Sequence, residues 1–466
     1  MEKTRQEKDS IGPMDIPADA YYGIQTARAS ENFTITRQHI HREYIISMAK
    51  VKKACAMTNK EVGVLDAKVA DAIISASDEI IAGKLHEEFI TDAIQGGAGT
   101  SFNFNANEVI ANRAIELLGG KKGEYSLVHA NDHVNCGQST NDANPSAARI
   151  TVVVLLERAI GELKRLKKAL ATKADEFDTV IKMGRTHLQD AVPIRLGQEF
   201  RAYSDVIGRD IERFTLAQKE MSVINLGGTA IGTGLNADIN YLKKVVPNTA
   251  KVTGLALTQN PNLIDGTANG DGYTYVSGVV KTCAVNLSKM CNDMRLMSSG
   301  PRCGLWEINL PPRQHGSTIM PGKVNPVIPE VVSQAAFQII GNDMTVTMAA
   351  EAAQFQINVF GPVLFHNLFQ SIDVLANAVT TLIDNCLVDI TANVEHCKDY
   401  VENSVGIITA LNPFIGYDKS SALAKEAIKT FKPVRELLLR DKVLSEQEID
   451  RILDIRAMTE PGGISQ

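Results

Sequence analysis

Seven residues with apolar side chains, Val276, Val280, Cys283, Leu287, Met290, Met294 and Met297, follow one another in unbroken steps of four and three. A strand cannot use that spacing, because its side chains alternate at a period of two; a helix places all seven on one seam. No proline lies between Pro261 and Pro301 to interrupt it. The spacing therefore predicts one helix over 270–299, and 30 residues of helix extend for about 45 Å. Residues 146–180 carry a second stripe, Val153, Leu156, Ile160, Leu163, Leu170, Ala174 and Phe177. A third helix after Pro329 carries Val332, Ala335, Ala336, Ile339 and Ile340.

Helices this long bury their seams against one another. The expected fold is mainly α, a long central helix bundle flanked by smaller N- and C-terminal helical domains. The loops near 141 and 393 divide the chain into 1–141, 142–393 and 394–466. Repeated seams suggest that the bundle also closes between subunits. Strand signals are weak: β-branched runs are short and aromatic residues make up only 5%. After Cys397 short helices are expected, broken at Asn412-Pro413 and Gly416, with Ser445 and Glu448 spaced as a capping box.

Net charge is −6 with no basic block, which argues against nucleic acid as a partner. Seven scattered cysteines without a CxxC pair offer no metal framework and fit reduced thiols. The charged N-terminus lacks the apolar core of a secretion signal, and no run of 18 consecutive apolar residues proposes a membrane span. A cytoplasmic location is expected.

Between the helices lie four polar clusters. The longest, Gly316-Ser317-Thr318-Ile319-Met320-Pro321-Gly322-Lys323-Val324-Asn325-Pro326, belongs to a stretch, Pro301 to Pro329, holding six of the sixteen prolines. A loop of that length is functional or disordered, and its Met, Ile and Trp argue against disorder. It sets a nucleophile or base, Ser317, beside an anion holder, Lys323 with Asn325. The others are Gln95 to Ser101, before a helix expected from Asn105 or Asn107; Gln138 to Asp142, before a helix from about Pro145; and Gly184 to Asp190, before Pro193 and a helix through Gln198. Helix N-termini favour carboxylates, so four converging clusters would suit a small, multiply anionic ligand. Each cluster taken alone reads first as an N-cap. His187 is the one histidine in such a cluster, and Trp306 reads as a pin holding its loop to the body. The glycines of 96–99 do not spell GxxxxGK[ST], so no nucleotide loop is proposed.

Taken together, the clusters resemble the aspartase/fumarase superfamily. Its signature Gly-Ser-Ser-x-Met-Pro-x-Lys-x-Asn matches Gly316 to Asn325, with Thr318 replacing the second serine. The resemblance runs from Tyr21-Tyr22-Gly23-Ile24-Gln25-Thr26 to Asn412-Pro413-Phe414-Ile415-Gly416-Tyr417. Within the superfamily it is nearest to the aspartate ammonia-lyase branch, through Thr100-Ser101 and Val327 to Val332. Phe102, Phe104, Trp306, His315 and Gly227-Gly228-Thr229-Ala230 depart from that branch, the last toward fumarases.

The resemblance implies reversible anti elimination of ammonium from L-aspartate to give fumarate, through an enediolate and with no organic cofactor. A fumarase-type hydration of fumarate to malate is the alternative. It also implies a homotetramer whose active sites are each built from three subunits. By carry-over, Ser317 is the general base. Thr100, Ser139, Thr140 and Thr318 hold the β-carboxylate, with Ser101 in the same cluster. Lys323 and Asn325 hold the α-carboxylate, and Asn141, Thr186 and His187 surround the amino group.

Overall fold

The computed structural model describes residues 3–464. Helix accounts for 62% and strand for 8%, so the chain is mainly α as its seams require. Five long helices dominate: Thr140–Glu176, Leu196–Met221, Asp271–Met297, Val327–Glu351 and Gly361–Asn385. All seven residues of the heptad seam are buried, as are all seven of the second stripe, six on Thr140–Glu176 and Phe177 just past its end. In the helix Val327–Glu351, Val332, Ala336 and Ile339 are buried, but Ile340 lies on an exposed face.

The chain divides into two compact units, and the division cuts each long helix. The first comprises residues 1–160, 212–282 and 337–375; the second comprises 161–211, 283–336 and 376–466. In the first, the antiparallel strands Thr4–Lys8 and Pro13–Pro17 precede helices Ile24–Asn32, Arg42–Glu61, Ala67–Ile81 and Thr100–Leu117. The buried carboxylate of Glu108 accepts the backbone N–H groups of Gly23, Gln25 and Thr26, which opens the helix Ile24–Asn32.

In the second unit, strands Ile181–Thr186 and Gln189–Arg195 form an antiparallel hairpin. Its tail folds as Val394–Asn403, Tyr417–Thr430, Val434–Asp441 and Glu446–Ile452 around a core that includes Met183, Ile407, Leu423, Leu437 and Ile449. The capping box of Ser445 and Glu448 is formed, and Gly416 at φ 82 separates two helices where the sequence breaks.

Residues Gly361–Asp389 are long and apolar enough by composition to cross a membrane. In the fold their apolar side chains, Leu364, Leu368, Ile372 and Leu375 among them, are buried as a core stripe.

Candidate active site

In the first unit, the helix predicted from Asn105 or Asn107 begins at Thr100, and the one predicted from Pro145 begins at Thr140. The ends of both polar clusters are therefore first turns of helices. Gly99 caps the former at φ 85, and a Cβ there would lie 2.4 Å from Asn144 Nδ2. Pro145 has no N–H to give to the Asn141 carbonyl four residues earlier. Asn225 Nδ2 donates to that carbonyl instead at 3.1 Å, so the helix keeps its start.

Thr100, Ser139 and Thr140 line one cleft of about 460 Å³ with Asn103, Gln138 and Thr229. Ser101 does not line it, and Asn141 faces the neighbouring recess with Ala230 and Ile357. The cap and ligand readings of Ser139 are compatible. Its Oγ accepts the Asn141 N–H at 3.2 Å, which leaves its own proton to donate. Thr100 Oγ1 donates to the Gly97 carbonyl at 2.7 Å, and Asn141 Nδ2 donates to the Ala230 carbonyl at 2.7 Å. Phe102 is buried behind the first cluster against Tyr44, with ring centroids 4.5 Å apart, and Phe104 reaches the cleft wall.

Several groups that sequence reasoning passed over build this cleft. Fully buried Asp142 accepts the N–H groups of Ser139 (2.8 Å), Gly227 (3.0 Å) and Thr229 (3.0 Å), tying two walls together. Burial pushes its carboxyl upward, against the pull of those three donors. Among the described residues, the buried Thr229 Oγ1 has no hydrogen-bond partner. Fully buried Lys52 donates to the side-chain oxygens of Asn103 (2.7 Å), Asn135 (2.9 Å) and Gln138 (2.9 Å). The only signal for Asp142 was its place after Ser-Thr-Asn; Lys52 had none, because one lysine in an amphipathic helix looks solvated.

In the second unit, the cluster predicted to precede a helix is the tip of the hairpin. Thr186 pairs with Gln189, leaving His187 and Leu188 as a two-residue turn, both with positive φ (54 and 59). That is the geometry of a type I′ turn, in which Asn-Gly is usual. Thr186 and His187 are exposed. Arg185 anchors the hairpin by an ion pair of 2.6 Å to Glu307, which has no solvent exposure.

The Ser317 loop is closed at its neck. Gly316 N donates to Lys323 O at 3.1 Å, and Asn325 Nδ2 donates to Gly316 O at 2.6 Å. A Cβ at Gly316 would lie 2.2 Å from Lys323 O, so only glycine allows this approach. Within the loop, Ser317 Oγ accepts N–H groups from Ile319 (3.2 Å) and Met320 (3.1 Å). Thr318 and Lys323 are exposed. Lys323 and Asn325 line a cleft of about 540 Å³ with Trp306 and Asn309. Trp306 is a pin, as read: its Nε1 donates to Asn309 Oδ1 and its carbonyl accepts from Asn393 Nδ2. Among the described residues no hydrogen bond joins Ser317, Thr318 or Lys323 to Thr186 or His187.

Long-helix units bearing hydroxyl-, amide- and cation-rich loops of this kind define the class, and the chain belongs to the aspartase/fumarase lyases. A family model described as Lyase matches residues 12–341, and one described as Fumarase C C-terminus matches residues 407–460. The chain is 55% identical over 98% of both sequences to an aspartate ammonia-lyase of Bacillus sp., and 52% identical, again over 98% of both, to one of Helicobacter pylori. Among solved structures it resembles a fumarate lyase:delta crystallin from Brucella melitensis bound to cobalt (TM-score 0.96, 45% identity, 98% of this chain and 100% of that one). It also resembles a class II fumarase from Schistosoma mansoni (TM-score 0.96, 34% identity, the same coverage).

Proposed function

We propose that the chain is a carbon–nitrogen lyase that interconverts L-aspartate with fumarate and ammonium. The observation that carries this reading is the end-to-end identity of 48–55% with aspartate ammonia-lyases, against 34% with the fumarase. Hydration of fumarate is the competing reaction, favoured by Gly227-Gly228-Thr229-Ala230.

In the proposed mechanism, Ser317 takes the Cβ proton as an alkoxide. Two backbone N–H groups already aimed at Oγ support that role, since donors to an oxyanion favour it over the neutral hydroxyl. The electrons move onto the β-carboxylate as an enediolate, held by Thr100, Ser139, Thr140 and Thr318. Its collapse forms the Cα=Cβ bond and breaks Cα–N, so the protonated amino group leaves as ammonia and takes up a proton to become ammonium. Lys323 and the second N–H of Asn325 hold the α-carboxylate, while Asn141, Thr186 and His187 surround the amino group. Ser101 supports the first cluster. The loop over 316–325 acts as a lid.

The active sites are proposed to be completed in a cytoplasmic homotetramer, three subunits to a site. An exposed apolar face on the helix Val327–Glu351 supports the assembly, and scattered cysteines with no CxxC pair support the compartment. We retain a functional division into 1–141, 142–393 and 394–466, supported by the helix that starts at Thr140 and by Asn393 at the head of Val394–Asn403. Incubation of the purified protein with fumarate, with and without ammonium, tests the reaction. Aspartate formed only with ammonium is expected; malate formed at the same rate without it would reject the ammonia-lyase reading.

A further inference from the structure

Lys52 is a cation without solvent and without a counter-charge in contact. It has no exposed surface, and among the described residues no carboxylate lies within ion-pairing distance of it. Burying an ammonium costs several kcal/mol unless its protons are satisfied and its charge is offset. The first condition is met, because three N–H donors meet three amide oxygens at 2.7–2.9 Å. The second is not met by any direct partner, and the three amides belong to Asn103, Asn135 and Gln138, which all line the cleft of the first unit. Asp142, a fully buried carboxyl nearby, accepts three backbone N–H groups and favours the Lys52 charge from a distance without touching it.

We infer that Lys52 is a positioning residue for anion binding, holding the amides of the cleft in one orientation and supplying the buried positive charge that a dicarboxylate offsets. The inference rests on the dicarboxylate reading of this cleft. An ammonium has donors only, so it turns the oxygens of Asn103, Asn135 and Gln138 toward itself. Asn103 Nδ2 is thereby directed at Thr140 Oγ1, 3.2 Å away. Thr140 accepts that hydrogen bond and keeps its hydroxyl proton for a ligand oxygen. The partnerless, buried Oγ1 of Thr229 on the same cleft is a second donor awaiting an acceptor. One buried cation thus sets the donor pattern and adds positive potential to the cleft.

The test is binding of succinate, a C4 dicarboxylate with no amine to lose, measured by calorimetry beside deamination of aspartate. Gln138→Glu puts a carboxylate against the ammonium and leaves Asn103 and Thr140 in place. It is expected to weaken succinate binding about tenfold or more, the scale of one unit charge cancelled nearby inside a protein, with cooperative unfolding retained. Gln138→Met removes the same acceptor and amide donors without adding charge, and a distinctly smaller loss is expected. Equal losses in the two variants, unchanged affinity in Gln138→Glu, or no succinate binding by the wild type would each overturn the inference. Wild type that binds succinate but does not deaminate aspartate rejects the ammonia-lyase reading alone, and the two variants still decide the role of Lys52.

Discussion

A serine hydroxyl is a poor base until something stabilises its oxyanion, and the Ser317 loop supplies two N–H donors from residues two and three positions on. The same pair would form an ordinary serine turn; the chemistry separates the two readings. If Ser317 is the base, Ser317→Ala lowers kcat by about a thousandfold and leaves succinate affinity within twofold or so, since the two N–H donors are backbone groups. A purely structural serine would instead disturb affinity and turnover together.

Lys52 makes a second prediction at this scale, through pH. Burial pushes its ammonium down to about 7 from 10.5, with Cys55 and Asp142 opposing. Around it lie Cys55 on its own helix, itself pushed up to about 12 by burial, Asp142 on the helix Thr140–Glu176, Cys136 beside Asn135, and Tyr241, which donates to Cys55 Sγ. The folded value lies below the unfolded one, so between about 7 and 10.5 the unfolded chain holds more protons. The stability contributed by this group therefore rises with pH in that window. Affinity for a dianion runs the other way, falling as pH rises through about 7 and the ammonium is lost. Calorimetric titrations at several pH values should give that fall for the wild type, and a flatter profile for Gln138→Glu, whose added carboxylate keeps the lysine charged.

Among the elements, the hairpin of the second unit shows how a strained turn is held. His187 and Leu188 both adopt left-handed backbone, each at a cost of about 1 kcal/mol or more, so the strands must be secured elsewhere. Glu307 does this at the base, with Arg185 Nη1 at 2.6 Å and Lys182 Nζ at 3.0 Å, the latter close enough to pair though off the hydrogen-bond direction. Glu199 shares Lys182 at 3.0 Å. Removing one partner of a buried ionic cluster leaves the others uncompensated, so Glu307→Ala should destabilise the protein by about 3–5 kcal/mol in denaturant unfolding. A loss below about 1 kcal/mol would mean the cluster behaves as a surface pair.

Elements differed in how well their residues announced them. Long helices were legible because burial preserves the 3.6-residue period along Asp271–Met297. The first turn of Thr100–Leu117 was not, because Asn103 is buried by a tertiary hydrogen bond to Lys52 ahead of the helix start expected at Asn105 or Asn107. The hairpin stayed hidden because His-Leu replaces the glycine or asparagine that advertises such a turn. Of the candidate site, the residues in motifs were legible, and their supports, Lys52, Asp142 and Glu307, were not. Each support acts through contacts between distant segments, which no local pattern records.

For the whole molecule, the decisive surface is the segment Phe337–Glu351. One stripe of it, Ile339, Val346 and Ala349, is buried. Opposite lie Phe337 at 63% exposure, Ile340 at 39%, Met344 at 63% and Met348 at 64%, spaced three and four apart along a second apolar face. A lone chain rarely presents such a patch to water, and a helix with two apolar faces belongs in a bundle larger than its own subunit. The proposed tetramer accounts for that face, and it ties assembly to catalysis if sites are shared. Met344→Glu places a charge where the packed face would exclude water, and no residue of the proposed site is touched. Light scattering should show a smaller oligomer, with helical circular dichroism retained and deamination of aspartate lost in proportion to the tetramer. A variant that dissociates yet keeps full turnover would separate assembly from the active site, and one that stays tetrameric would move the interface to another face.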